Sequence, residues 1–71
     1  MHPSVEQLLE LFEYAHLPAH LQAVSRPFAE LADEVANRDT DRGAEQASCL
    51  RKLLEAKDCA VRMAVPRKEQ P

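Results

Sequence analysis

The side chains of this sequence that could do chemistry are few, and their spacing limits what they could do. His16 and His20 stand four apart, an interval that can offer two imidazoles to one metal ion. Glu13 is near them in sequence, but no further ligand stands at a characteristic spacing, and Pro18 between the two histidines disturbs helical geometry. Ordinary hydrogen bonding is the favoured reading for both, and no metal or cofactor is expected. Cys49 and Cys59 sit among alanines and leucines with no base placed to activate a thiolate, so buried structural thiols are expected. They are ten residues apart in one predicted helix, a rise of about 15 Å, too far for a disulfide between them. Glu30, Asp33 and Glu34 recur at helical spacing and read as a solvated face. No catalytic constellation emerges, and an enzyme is not expected.

Two residues suit binding rather than catalysis. Tyr14 lies in the stretch Phe12-Glu13-Tyr14-Ala15-His16-Leu17-Pro18, which holds two of the three aromatic residues and interrupts an otherwise helical sequence. A tyrosine in such a hook either staples the first helix to the body or offers its ring as a stacking platform for a base, a contact of about 1–3 kcal/mol. Arg26 precedes Pro27 at an expected helix start, where free backbone N–H groups and the helix dipole favour an anion. A guanidinium there could add a planar, charge-assisted contact to phosphate. Arg51, Lys52, Lys57 and Arg62 place bases on the polar side of the last predicted helix, where a solvated face is the simpler account.

Three helical elements must position these side chains. Ser4-Val5-Glu6-Gln7 has the form of a capping box, and Val5, Leu8, Leu9, Leu11 and Phe12 follow with helical spacing, predicting a short helix over 5–12. Pro18 suits a first helical turn. From there Leu21, Val24, Phe28, Leu31, Ala32 and Val35 form an apolar stripe interrupted by Pro27. Either one kinked helix or two segments, 18–25 and 26–37 with Ser25 as the second cap, satisfies the pattern. Residues 36–43 lack periodicity and read as a turn. Thr40 or Asp41 then caps a last helix over 42–65, with Asp58 and Arg62 as a favourable i,i+4 pair. The expected fold is all-α: a single domain, 1–71, built as an antiparallel helical hairpin with a short N-terminal helix. Its tail, 66–71, is expected to fray.

Bulk properties point the same way. A chain of 71 residues buries too little surface to be comfortably stable alone, and association of protomers is the expected remedy. One glycine and the scarcity of β-branched runs argue against a sheet. The net charge of −3 divides unevenly: residues 1–45 carry nine acids and three bases, residues 46–71 three acids and six bases. That disfavours a binder of nucleic-acid polymers and suits complementary helices or protomers. No secretory leader and no membrane-length apolar run is present, so a soluble cytoplasmic protein is expected.

Three motifs carry a resemblance to a known family. Phe12-Glu13-Tyr14-Ala15-His16-Leu17-Pro18 resembles the F-x-Y-H-x-P opening of the phage anti-CBASS sponges of the second type. Arg26-Pro27-Phe28-Ala29-Glu30-Leu31-Ala32 resembles their basic residue and alanine-rich helix. Glu45 followed by Leu50-Arg51-Lys52-Leu53-Leu54-Glu55-Ala56 resembles their acid and L-x-x-L-E-E-A on the second arm. In this sequence the histidine comes one position later, Tyr14 and Arg26 stand about one helical turn closer, and Arg51 replaces a small hydroxyl residue.

The resemblance implies helical hairpins assembled into compact homo-oligomers, typically hexamers, in the cytoplasm of an infected bacterium. It implies binding of cyclic dinucleotides or cyclic trinucleotides made by defence cyclases, and their sequestration without cleavage. The stacking role falls on Tyr14 and the phosphate role on Arg26, with His16 and, from a neighbouring protomer, Arg51 as further ligand-binding candidates. The alternative is a small helical oligomerisation or adaptor protein that binds a protein partner through its apolar stripe.

Overall fold

The structure, a computed structural model, describes residues 1–66. The expected frayed tail lies outside the described residues beyond Pro66. The described chain is all-helical, with α1 at Pro3–Glu10, α2 at Ala19–Ala36 and α3 at Gly43–Ala64.

α1 starts earlier than the sequence suggests. Pro3 occupies the first turn, where its missing N–H costs nothing. The cap is His2, whose Nδ1 accepts from the Ser4 backbone N–H at 3.1 Å and lies 2.8 Å from the Ser4 hydroxyl. Ser4 is therefore inside the helix, and the expected capping box is not formed. An imidazole nitrogen instead satisfies one of the free first-turn donors, the Ser4 N–H. The helix also ends before Phe12. The N–H groups of Leu11, Phe12 and Glu13 donate to Leu8, Leu9 and Glu10 at 3.1, 3.0 and 3.3 Å, tightening the chain into three-residue turns.

α2 runs through Pro27 as one helix, so the two-segment arrangement is not what forms. An interior proline removes a backbone bond and costs about 3 kcal/mol. Packing offsets it: Ser25, Ala32 and Ala36 are buried on one face, and their small side chains allow close approach to α3. Pro18 is the cap rather than a first-turn residue, with Leu21 and Gln22 donating to its carbonyl at 2.9 Å each. At the other end, Gln46 Nε2 of α3 donates to the carbonyls of Val35, Ala36 and Arg38 at 2.8, 3.2 and 3.2 Å. One side chain thereby caps α2 and fixes the hairpin's turn.

α3 has Arg42 as its cap and no capping side chain. Thr40 accepts instead from the Arg42 backbone N–H at 3.0 Å, so neither Thr40 nor Asp41 caps the helix as expected. Val65 is extended, as the residue before a proline must be. The expected Asp58–Arg62 pair is replaced by two local contacts: Asp58 meets Lys57 at 3.2 Å, and Arg62 donates to Cys59 Sγ at 3.3 Å. Cys49 and Cys59 are both exposed, which corrects the expectation of burial. Cys59 lies beside Arg62 on the polar side of α3, where the apolar stripe does not reach.

The core gathers Val5 of α1, Phe12 of the hook, Ala32 and Ala36 of α2 and Leu50 of α3. Burying a side chain such as Leu50, which is wholly enclosed, contributes about 1.5–3 kcal/mol. α1 lies along the turn end of the hairpin. His2 and Ser4 share a cleft with Gly43 and Ala47, while the far end of α1 reaches Lys57. The short helix therefore completes a three-helix core at one half of the molecule. No helix among the described residues is long and apolar enough to cross a membrane.

Candidate ligand-binding groove

The hook between α1 and α2 builds the site. After the tight turns at Leu11–Glu13 the chain is irregular at Glu13 and Tyr14, then closes a turn in which the Leu17 N–H donates to the Tyr14 carbonyl at 3.0 Å. Phe12 is only 2 % exposed and anchors this segment in the core. Tyr14, two residues on, is half-buried, and His16 is exposed.

An open groove of about 500 Å³ runs along the hook. Leu9, Phe12 and Ala29 give it an apolar lining, Tyr14 and His16 line it from the hook, and Glu13 and Asp33 add carboxylates. Its volume falls within the range of small-molecule sites, about 300–1,000 Å³. An apolar lining beside one aromatic ring suits a flat, partly apolar ligand. The two carboxylates disfavour an anion on their side, so a phosphate must sit toward cations at the edge.

Arg26, the cation expected to meet a phosphate, does not line the groove. It lies well inside α2, not at a helix start, so the expected help from free N–H groups and the dipole is absent. Its Nε donates to Glu30 Oε2 at 3.0 Å, one turn on, with both side chains largely exposed. The guanidinium is held above its ordinary pKa, first by that hydrogen bond and then by the Glu30 charge. An exposed i,i+4 pair is weak and exchangeable, so Glu30 leaves Arg26 free to turn to a stronger acceptor.

Arg51 stands apart. It is exposed on α3, donates from Nη2 to Ser48 Oγ at 3.1 Å, and does not line the groove. Of the four residues expected to bind ligand, one chain brings Tyr14 and His16 into one groove and leaves Arg26 and Arg51 outside its lining. His16 is in the hook turn and His20 in the first turn of α2, and no cluster of three metal-ligating side chains occurs among the described residues.

Sequence reasoning missed three contributors. Asp33 faces the groove although it reads as part of a solvated face. Gln22 Nε2 donates to the carbonyls of Leu17 and Ala15 at 2.8 and 3.2 Å, and Lys57 Nζ donates to the Leu11 carbonyl at 3.2 Å. Gln22 had a usable signal, a long amide in the first turn after an irregular segment. Lys57 had none, because its partner is 46 residues away. Comparisons with protein-family models, with curated proteins and with solved structures return no match.

Proposed function

We propose that this protein binds and sequesters cyclic dinucleotides or cyclic trinucleotides, the second messengers of bacterial anti-phage defence, without cleaving them. Tyr14 stacks on a base and Arg26 exchanges Glu30 for a phosphate. His16 lines the same groove, and Arg51 reaches a ligand from a neighbouring protomer of a homo-oligomer, a hexamer by resemblance. The protein acts in the cytoplasm of an infected bacterium as a sponge, not as an enzyme.

One observation carries this reading: the single tyrosine lies along an apolar-lined groove, and Arg26 on α2 is held only by an exposed, exchangeable pair with Glu30. A flat ring and a planar cation are a minimal kit for a nucleotide. The carboxylates of Glu13 and Asp33 also make a complete anion site in one chain unfavourable, which fits a site that draws cations from a second copy. Isothermal titration against a panel of cyclic dinucleotides and trinucleotides tests the reading. Saturable heat is expected, with intact ligand recovered after heat denaturation.

A second reading has its own observation. Met63 is 84 % exposed and Val65 45 %, so the open end of the hairpin could dock a different protein. A self-associated mass in solution favours the first reading, and a stable monomer favours the second.

A further inference from the structure

Tyr14 lies outside regular secondary structure, so helix hydrogen bonding does not set the direction of its ring. Two side chains from the hairpin hold the backbone on either side of it. Before Tyr14, Lys57 of α3 donates to the Leu11 carbonyl at 3.2 Å. Leu11 is the last capping residue of α1, where carbonyls lack helical partners and the dipole favours a cation. The Lys57 side chain is only 13 % exposed, and its second partner is the Asp58 carboxylate at 3.2 Å. After Tyr14, Gln22 of α2 donates to the carbonyls of Ala15 and Leu17 at 3.2 and 2.8 Å. The hook is therefore clamped at both ends, from two different helices, by groups outside the groove lining.

We propose that Gln22 and Lys57 are positioning residues for Tyr14. They fix the hook so that the ring stands along the groove before ligand arrives, which spares the ordering cost of binding. Their effect on ligand binding rests on the reading that Tyr14 stacks on a base. Their effect on the ring itself does not.

The chain has one tyrosine and no tryptophan, so tyrosine fluorescence reports this ring alone. Gln22→Met, Lys57→Met and the double variant remove the donors while keeping side-chain length, and Lys57→Arg keeps a cationic donor. In the free proteins, the double variant should show faster local anisotropy decay and stronger acrylamide quenching than the parent, with unchanged far-ultraviolet circular dichroism. Lys57→Arg should stay near the parent. In titrations with cyclic di-AMP, the double variant should bind roughly tenfold more weakly, the consequence of losing the three hydrogen bonds that hold the hook. In a Tyr14→Ala background the same two changes should cost little, because they act through the ring. Equal anisotropy and quenching in all variants would overturn the proposal, as would an equal loss of affinity with and without Tyr14. If the parent binds no cyclic dinucleotide, the binding reading fails and the fluorescence comparison alone decides the positioning claim.

Discussion

Tyr14 concentrates the functional claim in one ring. Phe12 takes the stapling role, since it is enclosed in the core, and this leaves Tyr14 half-buried and available to stack. Tyr14→Ala should weaken cyclic dinucleotide binding about five- to 150-fold per stacked base, from a contact of about 1–3 kcal/mol. The oligomer's mass should stay the same. Loss of the oligomer with the ring would instead make Tyr14 a staple. Arg26 should add no pH dependence in ordinary buffers. Its raised folded-state pKa gives stability that is fully present below the unfolded value and is lost only as pH rises through the folded one, in strongly alkaline solution. Tyr14 was legible in the sequence because it stands alone between two helical patterns. The surroundings of Arg26 were not. Ser25-Arg26-Pro27 reads locally as a helix start, and only packing along the whole of α2 carries the helix across it.

At the scale of elements, apolar periodicity located all three helices, because each stripe is set by many residues at once. Their ends were less legible. A cap is decided by one or two contacts, so a histidine at position 2 takes the place expected of Ser4, and α3 is capped at Arg42 with no side-chain bond although Thr40 and Asp41 stand just before it. Ser25 shows what the uninterrupted α2 costs. Its hydroxyl would have capped a second segment, but in the continuous helix Oγ is fully buried with no hydrogen-bond partner among the described residues. An unpartnered buried hydroxyl costs about 1–3 kcal/mol, and alanine is the better helix former. Ser25→Ala should therefore stabilise the protein by about 1 kcal/mol, raising the thermal midpoint by roughly 4–8 °C in a domain of this size. A lower midpoint would mean that the hydroxyl finds a partner in solution, such as a second chain.

At the scale of the molecule, the hairpin is unevenly covered. α1 closes a core over the turn end, where Val5, Phe12, Ala32, Ala36 and Leu50 meet. At the open end Leu21, Val24 and Val61 are only half-buried, and Met63 and Val65 are exposed. Charge follows the same axis. The open end, residues 17–28 and 57–66, carries Arg26, Lys57 and Arg62 against Asp58 alone, while the rest of the described chain holds ten acids and four bases. Two copies laid antiparallel would set each basic end beside an acidic one and cover the half-buried residues. Multi-angle light scattering should accordingly give a mass at least twice the 8.0 kDa of one chain. A monomer at micromolar concentration would contradict the assembly. The acidic and basic halves were visible in the sequence. That α1 covers only one end of the hairpin was not, because this depends on contacts such as Lys57 to Leu11 across 46 residues.

The most direct test of the central claim is calorimetric titration of the purified protein with cyclic dinucleotides and cyclic trinucleotides. Saturable binding of at least one, with the ligand recovered chemically intact after heat denaturation, is the predicted result. No heat across the whole panel, or recovery of a linear product, would contradict it.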